Sequence, residues 1–208
     1  MNEPVDRSFE PAPARAGAGR LCSWLIGVWL AAGATFLFAS SSPEAAPYAD
    51  GAPAGFSGGF KEQSCDGCHF EAEVNAKPGE VALTGVPARF AGGEKYRLTV
   101  TLTRPGMKVG GFQLTARFDD GAQAGTLEAG MGEEKRVAIA SQSNVQYANQ
   151  RRPGADPSAP DTATWTLVWT SPTVARPVTF HVAANAGDGD DSTRGDYIYT
   201  AAATSQPQ

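Results

Sequence analysis

Tyr96-Arg97-Leu98-Thr99-Val100-Thr101-Leu102 alternates apolar and polar side chains for seven residues. Tyr96, Leu98, Val100 and Leu102 share one face, and Arg97, Thr99 and Thr101 share the other. A period of two with one apolar face marks a half-buried antiparallel strand. The pattern recurs at Phe112, Leu114, Ala116 and Phe118, with Gln113, Thr115 and Arg117 pointing outward. It returns at Trp165, Leu167 and Trp169, and again at Val178, Phe180, Val182 and Ala184. Weaker strands are expected at Val81–Thr84, Val137–Ala140, Val145–Tyr147 and Tyr197–Ala202. Turns fall at Arg104-Pro105-Gly106, Asp119-Asp120-Gly121 and Ser171-Pro172, and Gln150 to Asp161 reads as a long Pro-rich loop. About seven short strands with no convincing helical stretch predict an all-β fold, an antiparallel sandwich of immunoglobulin-like type.

The chain before Val81 has a different texture. Residues 1–20 are rich in Ala and Pro and carry Arg7, Arg15 and Arg20; an uncharged apolar run, Leu21 to Phe38, follows, and then the small residues from Ala39 to Ala46. This order is that of a secretory signal. The run is long for a signal and close to the lower limit of a membrane span, so residues 1–42 read as a signal peptide or as an uncleaved anchor through residues 21–38. On either reading the remainder lies outside the cytoplasm, in the periplasm or an equivalent compartment. Pro43 to Gly59, built of Ala, Gly, Pro and Ser with Tyr48 and Phe56 as the large side chains, reads as a flexible linker. Residues 60–77 form a short peptide, 78–203 the sandwich, and 204–208 a frayed tail.

The 208 residues carry a net charge of −5, and removing residues 1–40 takes away three basic and three acidic side chains and leaves it unchanged. A mildly acidic chain lacks the basic stripe that nucleic acid requires. Such a surface suits a basic partner, and it also simply keeps a protein soluble.

Cys22 lies inside the apolar run, so Cys65 and Cys68 are the cysteines of the exported part. Cys65-Asp66-Gly67-Cys68-His69 fits C-x-x-C-H, the attachment signal for c-type haem. Two thiols one turn apart form thioethers to the porphyrin vinyl groups, and the following histidine is brought under the iron as proximal ligand. Haem is attached in this way outside the cytoplasm, so motif and export signal agree. The expected cofactor is one covalent haem c held by Cys65, Cys68 and His69. Three other readings stay open: a small disulfide, a thioredoxin-like redox pair, and a metal site. The redox pair lacks its βαβ setting. The metal site lacks ligands beyond His181. For the distal side of the iron the side-chain candidates are Met107, Met131 and His181, alongside an open or water-bound position. Met107 follows a Pro-Gly turn and Met131 sits in a Gly-rich loop, both read as exposed; His181 alternates out of phase with Phe180 and Val182 and is expected to face away from the core. The stretch from Asn185 through Asp188, Asp190 and Asp191 to Asp196 invites a calcium reading, but its order is not that of an EF-hand loop, and tight-turn chemistry accounts for it.

Gly110 to Phe118, Trp165 to Pro172, and Val178 to Asn185 through Gly195-Asp196-Tyr197-Ile198-Tyr199 together resemble the bacterial Reelin-like (Reeler, or choice-of-anchor V) domain over about residues 78–203. The resemblance implies an immunoglobulin-like sandwich, and in many bacterial members a C-x-x-C-H peptide stands just before the domain, as here. Relatives often carry a histidine a few residues after the tyrosine matched by Tyr147, where this chain reads Ala148-Asn149-Gln150-Arg151. The expected function is exported, monohaem electron transfer with a redox partner protein. The alternatives are a module that binds protein or glycan, with the haem as sensor or structural element, and a cell-surface adhesion protein without haem. No catalytic constellation is legible: His181 would have to serve every role.

Overall fold

The computed structural model describes residues 48–208, and the signal or anchor reading of residues 1–42 lies outside them. Ten strands form two sheets: β1 Glu80–Thr84, β2 Arg89–Phe90, β3 Lys95–Thr103, β4 Val109–Arg117, β5 Thr126–Ala129, β6 Val137–Gln142, β7 Val145–Gln150, β8 Thr162–Thr170, β9 Val178–Gly187 and β10 Tyr197–Pro207. One sheet has the order β1-β3-β8-β5 and the other β2-β10-β9-β4-β7-β6. All pairings are antiparallel except β2 with β10. This is an all-β sandwich, as the alternation predicts. A single helical turn, α1 Arg152–Ala155, interrupts the Pro-rich loop.

The inner faces meet where the alternation places them. Leu98, Val100 and Leu102 of β3, Trp165, Leu167 and Trp169 of β8, Leu114 and Ala116 of β4, and Phe180 and Val182 of β9 are all fully buried. Trp169 is wedged edge-on between Phe90 and Phe180, and Trp165 lies against Phe112 at 4.6 Å between ring centroids. Each indole N–H finds a backbone acceptor, Trp165 on the Gly154 carbonyl at 2.8 Å and Trp169 on that of Ala124 at 2.9 Å. A buried indole needs such a partner to avoid a desolvation cost.

Three expectations are corrected. Residues 204–208 are not a frayed tail: β10 runs to Pro207, Ser205 is fully buried, and Gln206 and Pro207 pair with Arg89 and Phe90 of β2. Backbone pairing orders this polar segment, which composition alone cannot reveal. Met107 is buried in the core and not poised on a surface turn. The described part of the 43–59 segment is no free linker, because it packs on the outer face of the six-stranded sheet. Phe56 N–H donates to Gln113 Oε1 at 2.6 Å, Gln113 Nε2 donates to the Pro53 carbonyl at 2.8 Å, and Arg152 N–H donates to Asp50 at 3.0 Å. These hydrogen bonds, two of them partly buried, hold the segment in place.

The consequence is a third layer. Gln113, Thr115 and Arg117 of β4 do point away from the sandwich core, yet all three are buried. Their neighbours on that face, Tyr147 of β7, Ala183 of β9 and Ile198 of β10, are buried as well, apart from the main core cluster. The chain from about residue 50 to residue 77 supplies the cover.

Candidate functional site

The cysteine motif lies within this third layer. Cys65–Gly67 form one 3-10 turn. The N–H groups of both Cys68 and His69 donate to the Cys65 carbonyl at 3.1 Å, and Ser64 Oγ donates to the Asp66 carboxylate. The turn sets the two cysteines one turn apart with His69 directly after them. Cys65 is half-buried and Cys68 is exposed. Burial pushes the Cys65 thiol up to about 12.

His69 is held by residues far along the chain. Its Nδ1 lies 2.6 Å from Oδ2 of Asp196, the residue just before β10. Asp196 is 5% exposed, and the same oxygen accepts the Asn185 side-chain amide of β9 at 3.0 Å. Asp196 Oδ1 accepts the Asp188 N–H at 3.3 Å. Because Oδ2 accepts, this geometry suits a proton on Nδ1, and a neutral ring in that tautomer has its lone pair on Nε2. The β9–β10 loop closes over the motif from that side: Phe70 N–H donates to the Thr193 carbonyl, and Gly195 N–H to Glu71. Within the loop, Asp188 and Asp190 each accept a backbone N–H two residues on, the turn chemistry expected of this stretch. On the other side Asn75 caps β10, its N–H donating to the Ile198 carbonyl at 2.8 Å and its Oδ1 accepting the Thr200 N–H at 2.9 Å.

The peptide before the motif is fastened by a buried ion pair. Glu62 Oε1 accepts the Arg117 guanidinium and the Tyr147 hydroxyl, the latter at 2.5 Å, while Oε2 accepts Ser57 Oγ at 2.6 Å. Arg117 also lies under the Phe60 ring, 4.9 Å from its centroid. Burial pushes the Glu62 carboxyl up, but the hydrogen bonds from Ser57, Tyr147 and Arg117 outweigh it and hold its pKa below the usual 4.5. A lowered carboxylate pKa contributes stability that is present above 4.5 and lost as pH falls through the lower folded value. Acid should therefore loosen this layer. Circular dichroism and limited proteolysis between pH 6 and about pH 3 should show cleavage near residues 56–64 before the sheet signal is lost.

His181 faces outward from β9, as its phase predicts, but it is covered. Phe60 packs edge-on against it at 5.1 Å, and a Cβ on Gly59 would stand 2.1 Å from its Cγ, so only glycine fits there. Burial, then the Arg117 charge, lowers its pKa. It shares the outer face of β9 with Asn185, four residues on, while Gly58 stands over the intervening Ala183. Met131 is 97% exposed in the β5–β6 loop. An open cleft of about 480 Å³ borders the motif, lined in part by Ser64, Asp66, Gly67, Val74 and Thr200, and Phe70 beside His69 is 69% exposed. Among the described residues no group of three or more His, Cys, Asp or Glu side chains converges as a metal cage, and no helix is long and apolar enough to cross a membrane.

The motif residues were legible in sequence; Glu62, Asn185 and Asp196 were not. Asp196 sits in a run that reads as turn-forming acids, and nothing in its spacing ties it to His69, 127 positions earlier.

No protein-family model matches the chain, and no curated protein does either. Among solved structures it is similar to the Reelin-N domain of F-spondin, 17% identical, with 69% of this chain and 95% of that one covered and a TM-score of 0.47. The human F-spondin reeler domain is 18% identical, with coverage of 67% and 94% and a TM-score of 0.45. A cohesin module of a Clostridium perfringens family 33 glycoside hydrolase is 9% identical, with coverage of 62% and 96% and a TM-score of 0.45.

Proposed function

We propose that this chain is an exported β-sandwich module that carries one covalent haem c on its third layer and passes electrons to a redox partner protein. The observation that carries the reading is the state of His69. Its Nδ1 is engaged by Asp196, so Nε2 is the nitrogen available to iron. Histidines that ligate metals are commonly oriented in this way, by a carboxylate or carbonyl on the other ring nitrogen. The donor set fits the group: two thiols in one turn, the second exposed, and a histidine with one nitrogen fixed and the other free. When bound, haem supplies a one-electron iron couple. The chain's own part is to hold the ligand, to cover one side of the motif with the β9–β10 loop, and to leave Phe70 and Cys68 toward solvent. An exposed attachment edge favours electron exchange by surface contact.

A second reading makes the sandwich itself the working part. On it, the sandwich binds a protein or glycan and the haem is a sensor or structural element. Film voltammetry of the haem-bearing protein separates the two. A carrier gives a reversible wave whose electron exchange stays fast as scan rate rises. A haem that exchanges no electrons with the electrode or with a soluble mediator would sink the carrier reading and leave the binding module.

A further inference from the structure

We infer that Asp196, with Asn185 behind it, is a positioning residue that makes His69 an electron-rich axial ligand and lowers the reduction potential of the iron. The inference rests on the haem reading above, and it concerns residues that the attachment motif does not include.

Asp196 is 5% exposed, and no lysine or arginine pairs with it among the described residues; His69 is its one cationic or imidazole partner. A carboxylate so far from water costs free energy unless its lone pairs are used. Here Oδ1 takes a backbone N–H and Oδ2 takes both the imidazole and the Asn185 amide. Asn185 cannot be turned round. Its Oδ1 would then face the carboxylate oxygen, acceptor against acceptor, so its amide nitrogen stays on Asp196 and its Oδ1 remains buried without a partner. An unpartnered buried carbonyl is costly, and the structure carries it at the position that orients the carboxylate. Strand geometry makes the arrangement stiff. Asn185 pairs with Ile198 across β9 and β10, two residues beyond Asp196, so both side chains stand on the outer face of adjacent strands.

The electronic consequence follows from charge. A hydrogen bond from Nδ1–H to an anion pushes electron density through the ring to Nε2, more than a bond to a neutral carbonyl does. A stronger donor at Nε2 favours ferric over ferrous iron. Asn185 moderates this by donating to the same oxygen.

The test uses the full chain, exported with c-type maturation and carrying its haem. Asp196→Asn keeps the shape and removes the charge, and its midpoint potential is expected to rise while the thermal transition of the sheet stays in place. Asn185→Ala removes the moderating donor, and its potential is expected to fall. The opposite signs distinguish an effect on the ligand from general loosening of the site, which would move both variants the same way. If Asp196→Asn does not mature, Asn185→Ala decides alone. An unchanged potential, a rise for Asn185→Ala, or, where both variants mature, shifts of one sign would overturn the inference while leaving the haem reading intact. A wild-type chain that exports and folds with no added mass would overturn the haem reading, and this inference with it.

Discussion

Glu62→Ala should cost about 3–5 kcal/mol of stability, the usual consequence of leaving one member of a buried ion pair without its partner. The Arg117 side chain is only 7% exposed, and its carboxylate partner comes from the peptide and not from the sheet. Without Glu62 the guanidinium keeps the Tyr147 hydroxyl, 2.5 Å away, and the ring of Phe60, but no anion. Ser57 loses its acceptor as well. The expected result is a lower melting temperature together with early proteolysis around residues 56–64. Glu62→Gln keeps acceptor oxygen and volume and should lie between the two. A variant that melts with the wild type would show that the Glu62–Arg117 pair contributes nothing to the fold.

The second large effect separates attachment from ligation. Cys68→Ala leaves one thiol, so haem held by a single thioether, or none, is expected, with most absorbance lost when the protein is denatured and filtered. On the haem reading, His69→Ala keeps both thiols and is expected to retain covalent mass while losing the iron's histidine, so the ferric spectrum is expected to change spin state. In both variants the β-sheet signal should survive, because Trp165, Trp169, Phe180 and Leu114 pack on the opposite face of the sheet from the peptide. His69→Ala does leave Asp196 with only the Asn185 amide and a backbone N–H, so a modest loss of stability is expected there. Collapse of the sheet signal in either variant would mean that haem peptide and sandwich fold as one unit.

The two layers of the sandwich were legible because burial on one face writes a period of two into the chain. Leu98-Val100-Leu102 and Phe180-Val182 show it without ambiguity, and the structure puts those residues in the core. The third layer was not legible, for a physical reason. A polar residue that faces water and a polar residue that is covered and hydrogen-bonded look the same in a sequence: Gln113, Thr115 and Arg117 read as a solvated face and are buried. The short strands β2 and β5 escaped because two to four residues cannot establish a period. β10 was read short because its last residues, from Thr204 to Pro207, are polar and held by backbone pairing. At the site, the C-x-x-C-H spacing is local and therefore readable. The groups that fix it tie the peptide to residues far along the chain: Glu62 to Arg117 and Tyr147, 55 and 85 positions on, and His69 to Asp196, 127 positions on.

The account depends most on whether the chain carries a covalent haem. The most direct test is the intact mass of the wild-type protein, exported in a host with c-type maturation, purified and fully denatured before measurement. The account predicts the mass of the processed or full-length chain plus one haem, with the haem absorbance travelling with the polypeptide. A folded, exported chain at its plain polypeptide mass, with Cys65 and Cys68 as thiols or joined to each other, would contradict it.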